Sequence, residues 1–139
     1  MGVGKDSIMD YVYEEQSTLV FRLHEFCLDI DADWFVEAYL NSGVRAQLDS
    51  GNPLYTKLAA PELYSEFCRE IGGKPKFGTQ KAYPRHVWLV EFYTALHNIT
   101  RESTLDLMDK FSLSQALSIY PLYKEHAIDA AKCVSKNIR

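Results

Sequence analysis

The side chains best suited to catalysis or metal binding in this chain are scattered. They are His24, His86, His97, His126, Cys27, Cys68 and Cys133. No HExxH or CxxC spacing occurs, and an odd number of widely spaced cysteines argues against a disulfide framework and against a zinc site. We therefore predict no metal, no cofactor and no enzyme, and we expect buried free thiols in a reducing cytoplasm. A catalytic pair assembled from distant segments, such as Cys133 with His97, stays an alternative.

Three acidic residues at alternate positions, Asp29, Asp31 and Asp33, have the spacing of the first ligands of a calcium loop. Such a loop needs a glycine at its sixth position and a glutamate at its twelfth. The chain has Trp34 and Leu40 there, so we exclude calcium binding. Asp31 or Asp33 is instead predicted to cap the helix that follows.

The segment GGKPKFGTQKAYPRH, residues 72–86, has the most unusual composition of the chain. It contains four basic residues and no acidic one. Its glycines and prolines are typical of a connector between helices, which is the use we favour. Its basic and aromatic side chains could also contact a protein partner, a phosphate or a nucleic acid. These side chains are Lys74, Lys76, Phe77, Lys81 and Arg85.

Composition and charge place the chain among ordinary globular proteins of one domain. It has 139 residues, of which 47% are hydrophobic and 24% charged, and its formal net charge is −4. The charge is uneven, because residues 1–71 contain 13 acidic and 5 basic residues whereas residues 87–139 contain 6 of each. An acidic first half repels phosphates, which argues against nucleic acid as a partner. No apolar run of about 18 residues occurs, so no membrane span is predicted.

Apolar residues recur at helical spacing along the chain, and no segment alternates convincingly as a strand would. We therefore predict an all-α fold, a compact bundle of about seven or eight helices. The expected organisation is a first helical half (1–71), the basic connector (72–86) and a second helical half (87–139). The segment after Pro84 is apolar on nearly all sides, which predicts a helix in the middle of the bundle.

Capping residues predict where the helices begin and end. The stretch Asn41-Ser42-Gly43 is expected to end one helix in a left-handed conformation. Thr100 is predicted to cap the helix after the long central one, and Ser112 with Gln115 to form a capping box. The last helix is expected to start around Pro121.

The two halves are also similar to each other. Residues 30–55 align with residues 99–123 with one gap. The identical positions are Ile30 and Ile99, Leu48 and Leu117, and Pro53-Leu54-Tyr55 and Pro121-Leu122-Tyr123. Each half has a long helix, a capped helix, a short helix, the sequence PLY and a final helix. We interpret this as an internal duplication, with two copies packed around a pseudo-two-fold axis.

The second half contains a further ordered set of residues: Ile99-Thr100, Leu107, Lys110-Phe111, Leu113, Leu117, Tyr123 and His126. This order resembles a family of small helical bacterial domains of unknown function, often encoded beside ADP-ribosyltransferase-like toxins. That family has an "I/M-S-x-x-E" helix start, a "LFKKYxVxxYI" stretch and a "Y-x-x-LH" segment, which here is one residue shorter. The first half matches less well, since Leu58 occupies the histidine position after Tyr55. The resemblance implies a partner-binding or antitoxin-like module and no reaction.

The stretch DWFVEAY, residues 33–39, combines three aromatic and two acidic side chains around a capped helix start. Aromatic anchors beside acids suit a protein partner with basic and apolar patches. We therefore predict a module that binds and restrains a protein partner, such as a toxin. Its partner-binding residues are predicted to be Trp34, Glu37, Tyr39, Tyr55, Tyr123 and His126, the last two on one helix face. The alternative is nucleotide or nucleic-acid binding through the basic segment 72–86.

Overall fold

The computed structural model describes residues 15, 16, 18–20, 31–72 and 84–138. Every regular secondary-structure element in these ranges is a helix. These ranges contain no strand, which confirms the all-α prediction. Residues 15, 16 and 18–20 are helical. The complete elements are α1 (Ala32–Leu40), α2 (Gly43–Asp49), α3 (Pro53–Thr56), α4 (Ala60–Glu70), α5 (Pro84–Thr100), α6 (Thr104–Lys110), α7 (Leu113–Ile119), a 3-10 helix (Tyr120–Leu122) and α8 (Ala127–Ser135).

Helix α5 lies at the centre of the packing, as its apolar sequence predicts. Nine of its side chains between His86 and Leu96 are buried, and it packs against α1, α6, α7 and α8. Trp88 and Phe92 stack in parallel, with their ring centroids 5.0 Å apart. A helix that is covered on all sides needs apolar residues on all sides, because a polar side chain on any face would be buried at a cost in free energy.

The core of the first half is an aromatic cluster between α1 and α4. The rings of Phe35 and Phe67 meet edge to face at 5.0 Å, and Phe35 stacks on Tyr39 at 5.9 Å. All three side chains are fully buried. Aromatic pairs of this geometry contribute about 0.5–1.5 kcal/mol each beyond the area they bury, so this cluster fixes α1 against α4.

Two predicted caps are confirmed. The Asp31 side chain accepts a hydrogen bond from the backbone N–H of Trp34 at 3.0 Å and so begins α1. Ser112 and Gln115 form the predicted capping box of α7, each side chain accepting from the backbone N–H of the other. Both caps act within four residues, which is why the sequence alone indicates them.

The prediction of a left-handed stop at Gly43 is wrong. Gly43 is the first residue of α2, and positive φ angles in the described residues occur instead at Gly51, Gly72 and Arg101. The Glu70 carboxylate accepts from the backbone N–H of Gly43 at 2.9 Å and of Val44 at 3.1 Å. A Cβ at Gly43 would lie 2.9 Å from a Glu70 oxygen. This close approach of α4 therefore accounts for the glycine.

Two predicted helix starts also need correction. Thr100 does not cap α6, because it is the last residue of α5 and its hydroxyl donates back to the carbonyl of Leu96 at 2.8 Å. Ser103 caps α6 instead. The last helix does not start at Pro121, which lies in the 3-10 helix; α8 begins at Ala127.

The order of elements is the same in the two predicted halves. Helices α1, α2, α3 and α4 follow one another as α6, α7, the 3-10 helix and α8 do. The duplication itself stays a prediction, and so do the domain limits. Residues 73–83 of the basic segment lie outside the described residues, while residues 84–86 form the first turn of α5. No helix in the described part of the chain has the length and apolar character required to cross a bilayer.

Candidate functional site

The PLY turns, residues 53–55 and 121–123, expose the two most accessible large apolar side chains of the described residues. Leu54 in α3 is 67% exposed and Leu122 in the 3-10 helix is 79% exposed. In each turn the proline before the leucine is exposed, and the tyrosine after it packs partly buried against the core. The backbone differs, since residues 53–55 lie in an α-helix whereas Pro121 and Leu122 lie in a 3-10 helix that ends before Tyr123. The pattern of exposure is nevertheless the same in both halves, with an exposed leucine beside a partly buried tyrosine.

Hydrogen bonds on both sides hold the second PLY turn in place. The indole N–H of Trp88, in α5, donates to the carbonyl of Tyr123 at 2.7 Å. The Tyr123 hydroxyl lies 3.6 Å from the sulfur of Cys133, in α8, and donates to it. This contact raises the pKa of the Tyr123 hydroxyl, with the neighbouring thiol as the main cause. Leu122 is therefore carried by a turn that is attached to two helices.

Tyr123 and His126 do not share a helix face, which corrects the sequence prediction. Tyr123 follows the 3-10 helix, and His126 is the residue immediately before α8. The backbone N–H of His126 donates to the carbonyl of Tyr123 at 2.8 Å. The His126 ring is exposed, with Nδ1 3.8 Å from a carboxylate oxygen of Asp129. A helix break between them separates the two side chains.

The predicted acidic and aromatic face of α1 is only partly at the surface. Glu37 is exposed, and Trp34 is half-buried, in an edge-to-face arrangement with Phe67 whose ring centroids are 6.2 Å apart. Tyr39 is fully buried, which corrects its assignment as a partner-binding residue. It lies on the core side of α1, and its hydroxyl donates to the Gln16 side chain at 2.9 Å. Burial raises the pKa of Tyr39 well above its usual range.

The carboxylate of Asp33, on the same face of α1, is paired with two basic side chains of the protein itself. This carboxylate lies 2.6 Å from Nε2 of His86 and 3.5 Å from Nη2 of Arg85. The hydrogen bond with His86 is the main cause that holds the pKa of Asp33 below its usual value. Arg85 therefore contacts the acidic first half. The other predicted loop residues, Lys74, Lys76, Phe77 and Lys81, lie outside the described residues.

The cysteines differ from the prediction of buried thiols. Cys133 is exposed and Cys68 is half-buried, and both are free; Cys27 lies outside the described residues. Cys133 is exposed because α8 turns Ala127, Ala130, Ala131 and Val134 towards the core. Cys133 contacts Tyr123, whereas His97 contacts Asp49 and the Glu102 carbonyl. The suggested Cys133–His97 pair therefore does not form.

A cavity of about 410 Å³ is the feature that the sequence did not indicate. Of the described residues that line it, nine have polar side chains and three do not. The nine are Gln16, Arg45, Asp49, Ser50, Thr56, Thr94, His97, Asn98 and Arg101, and the three are Leu48, Gly51 and Pro53. They come from the helical segment of Gln16, from α2, α3 and the turn between them, and from the second half of α5 and the turn after it. The cavity therefore lies where the two predicted halves meet.

Arg45 is the centre of the polar network in this cavity. Its side chain is 1% exposed. Nε donates to the Thr104 hydroxyl at 3.0 Å, and Nη1 donates to the Thr94 hydroxyl at 2.9 Å and to the Gln16 side chain. Nε also lies 3.2 Å from Oδ1 of Asp49. A buried guanidinium requires a counter-charge and acceptors. This network supplies the counter-charge of Asp49 and acceptors for the N–H groups of Nε and Nη1.

Asp49 and His97 complete the network. Oδ2 of Asp49 accepts from the backbone N–H of Thr104 at 2.7 Å, and Oδ1 lies 3.9 Å from Nδ1 of His97. Nδ1 of His97 is 2.7 Å from the carbonyl oxygen of Glu102. Because a carbonyl oxygen can only accept, Nδ1 carries the hydrogen, which fixes the ring and leaves Nε2 for another contact.

Sequence reasoning missed this cavity for a physical reason. Arg45 stands between Val44 and Ala46 in a short helix, where a charged residue usually indicates a solvated surface. The one local signal was the spacing of Arg45 and Asp49, which suits an ion pair along a helix. The remaining partners are 29 to 59 residues away along the chain.

Comparisons with known protein families, with curated proteins and with solved structures found no match to this chain. The described residues also contain no group of three or more His, Cys, Asp or Glu side chains placed to hold a metal ion. Function is therefore inferred from the residues of the PLY turns and of the cavity.

Proposed function

We propose that this protein is a non-enzymatic module that binds another protein through the leucines of its two PLY turns. The observation that carries the proposal is the matched exposure of Leu54 and Leu122 at matched positions in the two halves. A single exposed leucine needs no explanation. Two leucines, each in the same three-residue turn and each the most exposed large apolar side chain of its half among the described residues, favour a shared role in recognition.

The energetic argument is simple. Transfer of a leucine side chain from water into an apolar pocket contributes about 1.5–3 kcal/mol. Both leucines together would supply a substantial part of the free energy of a micromolar complex, which is about −8 kcal/mol. The turns are attached to the core through Tyr55 and Tyr123, so presenting the leucines costs little ordering on binding.

Two further exposed apolar side chains lie near Leu122 in the sequence. They are Leu117 in α7 and Ile128 in α8, so residues 117–128 contain three exposed large apolar side chains. Exposed apolar residues that group together mark interaction sites more often than isolated ones do. We therefore expect the second half to supply the larger apolar contact, with Glu37 and the edge of Trp34 as polar and aromatic contributors from the first half.

The structure changes the roles of the other predicted contact residues. Tyr55 and Tyr123, which follow the two leucines in the chain, are partly buried and pack against the core. Tyr39 is fully buried in the core. His126 is exposed four residues after Leu122 and is available to the same partner. Arg85 pairs with Asp33, so no described contact favours the alternative of nucleic-acid binding through the basic segment.

We propose more specifically that the partner is a toxin and that the module restrains this toxin by covering its surface. The complex would form in a bacterial cytoplasm. The support for this proposal is the resemblance of the second half to helical domains encoded beside toxins. The free state of Cys68 and Cys133 agrees with a reducing compartment.

Native mass spectrometry of the untagged protein, drawn from its own cells at near-physiological salt, tests the proposal. We expect a heavier species that contains a second protein, and we expect the double variant Leu54→Ser, Leu122→Ser to lose it. The matched control is Leu105→Ser, which changes an exposed leucine outside the PLY turns and should keep the complex. A monomer or homodimer alone, or a complex that survives the double variant, would overturn the proposal.

A further inference from the structure

We propose that the cavity around Arg45 is a binding site for a small oxyanion, a carboxylate or a phosphate group. Arg45 would hold the anion at the buried end of the cavity, and Arg101 would contact it at the exposed end. This site is separate from the PLY turns, and the inference does not depend on the protein partner.

The first argument is the hydrogen bonding of Arg45. A guanidinium has five N–H donors. The bonds from Nε and Nη1 to Thr104, Thr94 and Gln16 use three of them. No hydrogen bond joins Nη2 to a described residue. The Tyr39 hydroxyl also interacts with this guanidinium, but its oxygen has room for only one of the two remaining donors.

At least one N–H of a fully buried cation is therefore left for an acceptor that the described residues do not supply. A buried donor without an acceptor costs about 1–3 kcal/mol, and more when the group is charged. Arg45 is among the described residues that line the cavity, which makes the cavity the proposed location of this acceptor. An oxyanion answers this requirement better than a neutral group, because hydrogen bonds to a guanidinium are stronger when the acceptor is charged.

The second argument is the charge of the lining. Arg45 and Arg101 are two cations, and Asp49 is the one carboxylate among the described lining residues. Asp49 is already committed to Arg45 and to the backbone N–H of Thr104. The described lining thus has two arginine cations against one carboxylate, which favours an anionic ligand over a cationic one.

The third argument is the conformation of Arg101. Its φ angle is +67°, and its backbone N–H donates to the carbonyl of His97 at 2.8 Å, which closes the end of α5. Glycine or asparagine usually occupies such a left-handed closing position. The backbone therefore does not explain why an arginine stands here. Arg101 is one of the described residues that line the cavity, and its guanidinium is the group that would contact an anion there.

The size and the other polar groups define the ligand further. A volume of about 410 Å³ exceeds that of a single phosphate and lies in the range of small-molecule sites. Nε2 of His97 can accept from a hydroxyl of the ligand, and Asn98, Ser50 and Thr56 add amide and hydroxyl groups. The expected ligand is a small organic anion whose acidic group meets Arg45, with inorganic phosphate or succinate as minimal probes.

The test is an NMR titration of the whole protein with inorganic phosphate and, separately, with succinate, at constant ionic strength maintained with sodium chloride. We expect saturable shifts of the Arg45 Nε–H signal and of the amides of residues 97–101 with at least one probe. Saturation by phosphate alone assigns the phosphate class, and saturation by succinate alone assigns the carboxylate class. Shifts that are absent, that do not saturate, or that sodium chloride reproduces would overturn the proposal.

A variant of Arg101 separates binding from folding. Arg101→Gly removes the side chain but keeps a residue that accepts a positive φ, so the fold should persist even if Arg45 variants do not fold. We expect it to weaken binding of the probe at least tenfold. The control is Arg69→Ala, which removes an exposed arginine that pairs with Glu66 on α4 and should leave binding unchanged. Equal binding by Arg101→Gly and the wild type would overturn the role of Arg101 and the proposed site with it.

Discussion

Arg45 and Asp49 form an ion pair inside the protein, with 3.2 Å between Nε and Oδ1 and side chains that are 1% and 8% exposed. The two residues lie one turn apart in α2. Arg45 also bonds to Gln16, to Thr94 in α5 and to Thr104 in α6. One guanidinium therefore joins four helical segments that are far apart along the chain.

Breaking this pair should be costly. We expect Asp49→Asn to lower the free energy of unfolding by about 3 kcal/mol, because it leaves a buried guanidinium without a counter-charge. Urea unfolding followed by circular dichroism measures the change. The control is Glu66→Gln, which breaks an exposed ion pair with Arg69 in α4 and should cost less than about 1 kcal/mol. Similar losses in the two variants would contradict the prediction.

Arg101 offers a stabilising substitution. A residue with a Cβ pays about 1–2 kcal/mol for the left-handed conformation, and the φ angle of +67° places Arg101 there. We expect Arg101→Gly to raise the free energy of unfolding by about 0.5–1 kcal/mol, since the greater freedom of glycine in the unfolded chain offsets part of the gain. Thermal and urea unfolding measure it. Arg101→Ala removes the same charge but keeps the strain, so it should show no gain; equal stability of the two variants would refute the explanation.

The leucines of the PLY turns should contribute little to folding. We expect Leu54→Ser and Leu122→Ser each to change the free energy of unfolding by less than about 0.5 kcal/mol, because both side chains are exposed. Leu63→Ala, at a buried position in α4, should cost about 2–5 kcal/mol. Urea unfolding of the three variants decides the point. A large loss at Leu54 or Leu122 would show that these leucines are packed in solution.

The contact of Asp33 with His86 predicts a pH dependence. The pKa of Asp33 is lowered in the folded protein, so its stabilising effect is present above the unfolded pKa of 3.8 and is lost as the pH falls through the folded pKa. We expect Asp33→Asn to cost about 0.5 kcal/mol at pH 7, a small value because the side chain is half exposed. The difference from the wild type should shrink in acid.

Urea unfolding between pH 2.5 and pH 7 checks this dependence. The control is Asp109→Asn, an exposed carboxylate at the end of α6, whose difference from the wild type should vary less with pH. A cost for Asp33→Asn that stays constant down to pH 2.5 would show that the hydrogen bond with His86 does not depend on the carboxylate charge.

Features that depend on a few neighbouring residues were predicted well. Asp31 caps α1 and Ser112 with Gln115 caps α7, because each cap joins a side chain to a backbone N–H three residues away. The central place of α5 also follows from its own composition. Thr100 shows the limit of such reasoning. Its hydroxyl donates back to the carbonyl of Leu96 and accepts from the backbone N–H of Glu102, but the residue that caps α6 is Ser103.

The candidate sites were predicted less well, since exposure is a property of the packed molecule. The partner-binding set included Tyr39, which is buried, and omitted Leu54 and Leu122, which are exposed. No prediction was made for Arg45, because its burial depends on acceptors from other helices. Cys133 was expected in the core but lies on the outer side of α8.

The sequence by itself determined that this protein is helical, that the segment after Pro84 is its central helix and that PLY occurs twice, because helical periodicity and capping act over three or four residues. The tertiary structure decided which side chains are available to a partner and which surround Arg45. The contact of Asp33 with His86 spans 53 residues and that of Arg45 with Thr104 spans 59. Pairings at such separations depend on how the helices pack, and no local pattern specifies them.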